Sequence, residues 1–513
     1  MSEIIPTQIE KCRGAILATA IGDALGWPNE PRSRNRSKKL KNFDNFIEWK
    51  RSSFVPRWHD EVILPGEYSD DTQLMLSIAR SIIAGDWENF FAEKELPFWL
   101  NYERGGGGAL LKATRAYKEG VFPWEHKYAR TYFNAGGNGA TMRILPHVIA
   151  TANAADISSL MIDVIRDTRI THGHPRAFLG TTCYAYALNY LLKKETILEY
   201  GELVEAVIDG QNVWADDLNI EFFREWIDLS NQYTEYDFIE EWNKTRSRMI
   251  RQLEFIKMSL NKGLILDDIK ILEELECFGS AGGAGDVAIL ASIYLASRYA
   301  NNPSTGIKIS AFTVGMDTDT IASITGGLLG MLNGMNWIPM QWRNVQDYEC
   351  LIRMAEVLLK EDKRKAAEEA NEIKAQDGQW VATPIGKMKF VEFKNVPNGQ
   401  HGTVRIEKWY TMLGQTLYTK KFHPKDMQLQ SETHEKVYQQ NQNKQFMLTL
   451  ADVDDLLNNP DFKKNITIGK VLKIIKSLIN DKHTVAAIAK QLNVEQSVVE
   501  QINDYVIFKG DKN

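Results

Sequence analysis

The sequence predicts a mainly α-helical protein with a small β-rich module and a further helical segment towards its C-terminus. Three observations carry this. Apolar residues recur at helical spacing behind N-cap residues, as in Ser69 followed by Leu74, Ile78 and Ile82. The stretch Ile321 to Gly330 is built of Gly, Ala, Ser, Thr and aliphatic residues, which suits a helix packed closely against another backbone. From about residue 378 the pattern changes to short β-like runs, and from 447 it turns helical again. The division expected is 1–377 for a helical domain, 378–445 for the β-rich module and 446–513 for the C-terminal helices.

With 513 residues the chain is long enough for more than one domain and a large core. Its 44% apolar and 25% charged residues describe an ordinary globular protein. Lys and Arg number 61 against 67 Asp and Glu, a net charge of −6, which argues against a nucleic-acid binder relying on overall positive charge. Cys12, Cys183, Cys277 and Cys350 are far apart and form no CxxC pair. Neither a disulfide framework nor a zinc site is expected, and a reducing, cytoplasmic setting fits. No basic segment leads into an apolar signal-peptide core, and no apolar run approaches the ~18–20 residues of a membrane span.

Taken in order, residues 9–27 form a first helix spaced by Gly14, Gly22 and Gly26 and ending in a loop to Glu30. Asp23, among small apolar neighbours, reads as a buried acid that accepts hydrogen bonds from loop amides. Glu30 is either a cleft residue or a plain surface acid. Residues 31–60 read as loop, and the basic run from Arg32 to Lys41 is a solvated face or the rim of an anionic ligand's pocket. Ser69-Asp70-Asp71-Thr72 then opens a helix, with acids in the first turn, where free amides and the helix dipole favour negative charge.

Residues 88–130 are helical around a break at the glycine run 105–108, a hinge or a loop able to approach phosphate. Gly136 to Gly139 form a glycine-rich turn running into a helix, the arrangement of an anion cradle, but lack the Gly-Lys-Ser/Thr of a Walker A loop. An amphipathic helix over 155–170 ends in Thr171-His172-Gly173-His174. With no third nitrogen or sulfur ligand nearby, a histidine lining a polar cleft is favoured over a zinc ligand. A further glycine-rich loop at 279–285 precedes a small-residue helix, and Asp317-Thr318-Asp319-Thr320 opens the next one. The charged stretch 360–369 reads as a solvated helix at a domain edge.

An acidic N-cap explains one acid at a helix entry. Two entries, each with a hydroxyl and paired acids ahead of an apolar helix, ask for more. Facing each other, they offer Asp70, Asp71, Asp317 and Asp319 together with Ser69 and Thr320. Hard oxygen donors without cysteine select Mg²⁺, Mn²⁺ or Ca²⁺, and this set suffices for a bridged pair of divalent ions. The alternative is two unrelated capped helices.

Five segments, GDALGWPNE, YSDDTQ, GNGATMR, THGHPRA and DTDTIASITGGLLG, in this order, resemble the ADP-ribosylglycohydrolases over roughly residues 10–345. That family includes dinitrogenase-reductase-activating glycohydrolase and the ADP-ribosylarginine and ADP-ribosylserine hydrolases. The resemblance implies an all-α, orthogonally packed bundle with two Mg²⁺ (or Mn²⁺) ions at the base of a cleft for ADP-ribose. It implies metal ligands at Ser69, Asp70, Asp71, Asp317, Asp319 and Thr320, and a diphosphate and ribose loop at Gly137, Asn138 and Gly139. His172 matches the cleft histidine, and Glu30 an acid close to the metals; His174 and Asp23 have weaker claims. Glu30, Asp70 and Asp71 are the candidates for acid–base work on the glycosidic bond. One departure stands out: Met316 replaces the second of two glycines before the second acid cluster, which is expected to reshape the pocket wall without removing a ligand.

The expected partner is an ADP-ribosylated protein or nucleic acid, with ADP-ribose as product and no membrane. Two other readings compete: a silent ADP-ribose-binding or structural member of the same fold, and a ligand-sensing DNA-binding regulator. The intact acids favour the enzyme. Residues 484–502 have the rhythm of a helix-turn-helix, but Glu495, Glu500 and Asp504 in the second helix repel phosphate, so a packing or protein-docking role is preferred.

Overall fold

Helix α1 (Gln8–Gly26) is buried at every residue from Lys11 to Gly26 except Arg13, in keeping with its all-round apolar sequence. Its main partner is α5 (Thr318–Asn333). In chain order α2 (Asp70–Ala84), α3 (Pro175–Lys193) and α4 (Gly285–Arg298) come between the two. This computed structural model describes residues 5–34, 44–216, 223–263, 266–372, 380–398 and 401–424, together with Ile474, Val499 and Ile502.

The contact between α1 and α5 is backbone on backbone. A Cβ placed on Gly22 would lie 2.1 Å from the Ala322 carbonyl oxygen, and one on Gly326 would lie 2.2 Å from that of Ala18. Small residues at 321–330 therefore serve close helix approach, as their composition suggested. Lys11 is buried on the same helix, its ammonium donating to the carbonyls of Leu191 (2.9 Å) and Leu192 (3.3 Å) at the negative C-terminal end of α3. The four cysteines are buried and none forms a disulfide.

Residues 31–60 are not all loop. They contain a helical turn, Pro31–Arg34, and strand β1 (Trp49–Ser53), which pairs antiparallel with β2 (His59–Ile63). Trp49 and Ile63, opposite each other, bury against Trp27. The next inward pair is Arg51 and Glu61, so one inward position is filled by charge, which disguised the apolar alternation.

Strands β3 (Trp380–Thr383), β4 (Gly386–Asn398), β5 (Gly402–Thr411) and β6 (Thr416–Pro424) form an antiparallel meander. Met388 and Leu417 pack into one cluster with Leu74, Ile78 and Trp99 of the helical part. Residues 1–425 form one compact unit and 426–513 a second. Of the second, Ile474, Val499 and Ile502 are described, each helical and buried. The rest of the helix-turn-helix reading, and of the basic run beyond Arg34, lies outside the described residues. No helix among the described residues is long and apolar enough to cross a membrane.

Candidate functional site

Three segments tied to α1 build the site. At the C-terminal end of α1, the Asp23 carboxylate accepts from the Ser69 amide (3.0 Å), the Thr72 amide (3.0 Å) and the Thr72 hydroxyl (2.6 Å). Asp23 is thus a buried acid capping α2 from outside, and burial pushes its pKa up. Ser69 caps the same helix, its hydroxyl accepting from the Asp71 amide at 3.3 Å. One turn beyond Asp23, the Gly26 carbonyl accepts from Thr318 Oγ1 at 2.8 Å, which fixes the entry of α5. Glu30 follows directly on the turn that ends α1.

These anchors bring the two acidic helix entries together. Glu30, Asp70, Asp71, Asp317, Asp319 and Thr320 line one cavity with Gly137, Asn138, Gly139 and His172. Thr320 Oγ1 donates across it to Asp71 Oδ1 at 3.4 Å. Carboxylate oxygens of Glu30, Asp317 and Asp319 lie within 4.8 Å of one another. Asp70 and Asp71 line the same cavity but stand outside that trio, and Ser69, the helix cap, is not among the lining residues.

The electrostatics are one-sided. Among the described residues the lining holds five carboxyl groups and no Lys or Arg. Asp71 is raised well above the ordinary carboxyl range by burial first and then by the charges of Asp23, Asp70 and Asp317. Asp319 is raised likewise by burial and by Glu30, Asp317 and Asp71. Asp71 Oδ2 is buried with no hydrogen-bond partner among the described residues. An orphaned buried oxygen amid like charges is costly unless a cation compensates it. The donors are all hard oxygens, so the residues present fit a divalent ion such as Mg²⁺ or Mn²⁺.

Beside Asp317, the 136–139 loop is stitched to the 283–285 loop. The Asn138 amide donates to the Gly283 carbonyl (3.1 Å), and the Gly285 amide to that of Gly136 (3.0 Å). The Asn138 side chain donates to Asp317 Oδ2 at 2.8 Å, so this residue orients a candidate ligand as well as facing the cavity. Gly139 is close enough to His172 that a Cβ there would sit 3.1 Å from the ring. Burial, and then the charge of Arg143, push the His172 pKa down to about 3, so the ring is neutral. Its Nδ1 meets the Thr171 hydroxyl at 2.8 Å. His174 acts elsewhere, since its Nδ1 accepts from the Arg176 amide at 3.1 Å and caps α3.

Sequence reasoning missed several contributors. Gly105, at φ +118°, brings the backbone so near Asp70 that a Cβ would lie 2.6 Å from Oδ1; the glycine run was the available signal. Arg143 binds the Gly139 carbonyl (3.1 Å) and Thr171 (2.9 Å), holding loop and histidine together, and only its place beside GNGAT hinted at this. Met316 is fully buried in the main core and is not among the cavity-lining residues.

This architecture, an all-round buried helix presenting acids from two facing helix entries, defines a class of protein. The profile of the ADP-ribosylglycohydrolase family matches residues 5–368, and the chain belongs to that family. Membership supports an enzyme that hydrolyses ADP-ribose linkages. ADP-ribosyl-[dinitrogen reductase] glycohydrolase of Rhodospirillum rubrum is 28% identical over 218 residues, 41% of this chain and 62% of that protein, less than two thirds of its length. ADP-ribosylhydrolase ARH3 of Xenopus tropicalis is 23% identical over 348 residues, 65% of this chain and 90% of its own. A solved structure, an ADP-ribosylglycohydrolase-related protein complex, covers 69% of this chain and 99% of its own at 20% identity with a TM-score of 0.45. The family match ends before β3.

Proposed function

We propose that the protein is a divalent-metal-dependent hydrolase that releases ADP-ribose from a modified protein. The observation that carries this is the cavity in which Glu30, Asp317 and Asp319 bring carboxylate oxygens within 4.8 Å of one another, beside Asp70 and Asp71 and, among the described residues, without a cationic side chain. Asp70, Asp71, Asp317, Asp319 and Thr320 would hold two Mg²⁺ or Mn²⁺ ions; Ser69 acts through its cap. Bound there, the ions supply Lewis-acid polarisation and charge compensation.

The chain's own groups do the rest. Gly137, Asn138, Gly139 and the neutral His172 form the wall for the ribose and diphosphate, supplying affinity remote from the broken bond. The Asn138 amide's own N–H is already spent on Gly283, so its contribution is the side chain that fixes Asp317. A water oxygen bonds to the anomeric carbon of the distal ribose as the glycosidic bond breaks, through an oxocarbenium-like transition state. Asp70 or Asp71 accepts the water's proton, and Glu30 delivers one to the departing nitrogen or oxygen.

The test is release of ADP-ribose from Arg-, Ser- and nucleic-acid-linked substrates, with Mg²⁺ or EDTA, alongside Asp317→Ala. Release that needs Mg²⁺ and is lost in Asp317→Ala is expected. Release that persists in EDTA and in the variant would remove the metal mechanism, and release from none would remove the hydrolase.

A further inference from the structure

The acid-lined cavity has a neighbour. A second cavity shares Glu30 and Gly105 with it and is bounded by Lys50, Arg51 and Phe54 of the β1–β2 hairpin together with Trp27. Glu30 therefore stands on the wall between two spaces. If ADP-ribose fills the first, as the proposed function requires, the group that departs from its anomeric carbon beside Glu30 has the second to occupy.

The far wall of that second space is unusual chemistry for a hairpin end. The connection between Ser53 and His59 is Phe54-Val55-Pro56-Arg57-Trp58, where turn residues such as Gly, Asn, Asp or Ser are the common choice. Phe54 is 72% exposed and Trp58 41% exposed. The hairpin is anchored instead by Trp49 and Ile63 on Trp27 and by the Arg51–Glu61 pair. Exposed aromatics beside a reaction cleft are the residues from which protein interfaces draw most of their energy. A nucleic-acid groove would need several cations along its track. Among the described residues here, Arg57 lies over the Phe422 ring at 5.2 Å and Arg51 is paired with Glu61 and Glu103, and Lys50 by itself makes no such track.

We propose that the hairpin is the target-docking element: Phe54 and Trp58 pack on the surface of an ADP-ribosylated protein while its modified side chain enters the cavity between Phe54 and Glu30. Because Phe54 also faces that cavity, one aromatic touches both the entering side chain and the surface around it.

The experiment compares full-length wild type, Phe54→Ser and Trp58→Ser on an ADP-ribosylated protein and on a short peptide carrying the same modified residue. The proposal expects KM for the protein to rise tenfold or more in both variants with kcat within twofold; peptide KM should be unchanged in Trp58→Ser and should rise in Phe54→Ser by several-fold less than KM for the protein. Phe54→Tyr should restore most of the affinity. Unchanged KM for the protein, or an equal loss on both substrates, overturns it. So does a loss confined to an ADP-ribosylated oligonucleotide. If wild type hydrolyses nothing, the proposed function fails, and the hairpin is judged by direct binding of the modified protein. Equal binding by wild type and Phe54→Ser would then overturn the docking role.

Discussion

The ammonium of Lys420, on the last strand of the sheet, donates to Glu61 Oε2 at 2.8 Å, and both side chains are buried. Glu61 also accepts from Arg104 Nε at 2.9 Å, and the Arg104 carbonyl accepts from the Asp70 amide at 2.8 Å. The sheet thus reaches the first acidic helix entry through a buried ionic cluster, although it lies outside the family match. Lys420→Met removes one partner and leaves a buried carboxylate undercompensated, at a cost of about 3–5 kcal/mol. Chemical denaturation of the full-length variant measures this. Ending the chain at residue 377 should cost more, because it also strips Met388 and Leu417 from the cluster around Trp99.

Removing metal should expose the mutual repulsion of the acids. Saturating Mg²⁺ at about 100 times its Kd is expected to stabilise the wild type by ~2.7 kcal/mol, seen as a higher Tm than in EDTA. Asp319→Asn removes one of the clustered carboxylates. The variant should be inactive yet, in EDTA, more stable than the wild type by about 1 kcal/mol. A variant less stable than wild type in EDTA would show that the acids are compensated without a cation.

Asp167 offers a dependence on pH away from the acids. Arg143 Nε donates to Asp167 Oδ1 at 2.7 Å and His147 Nε2 meets Oδ2 at 2.9 Å. Burial alone would raise the carboxyl, but the Arg143 charge and the His147 hydrogen bond outweigh it and hold it below its ordinary value. A depressed folded pKa contributes stability that is present above the unfolded value, near 4, and is lost as pH falls through the folded value. Asp167→Asn should therefore cost about 3 kcal/mol at pH 7, and its deficit should shrink on acidification below about pH 4. Paired urea titrations across that range check the sign.

Gly22→Ala probes the helix contact. The added methyl would sit 2.1 Å from a backbone carbonyl that has no rotamer with which to give way. A loss of about 3 kcal/mol or more is expected, with Gly326→Ala similar, by thermal denaturation.

Much of this was readable in the sequence where chemistry and local signals coincide. Ser69-Asp70-Asp71 and Asp317-Thr318-Asp319 mark helix entries by capping rules, and their pairing on one cavity follows from those entries facing each other. Asp23 was readable because a carboxylate among small apolar residues needs amide donors. The hairpin at 49–63 was not, since its inward side includes Arg51 and Glu61, and hydrophobic alternation is blind to a buried ion pair. The Asn138–Asp317 bond joins residues 179 positions apart and leaves no local trace. Met316, a concern for the pocket wall from sequence, packs into the core instead.

The α1–α5 contact also sets an order of events during synthesis. Residues 8–26 leave the ribosome about 300 positions before the helix that covers them. Until then a glycine-notched apolar helix has no matching groove, and the Gly26 carbonyl has no second acidic entry to hold. Contacts of such long sequence separation form slowly. The site therefore completes only once α5 has been made, and a nascent chain interrupted before residue 317 carries three of the five lining acids and an uncovered apolar helix.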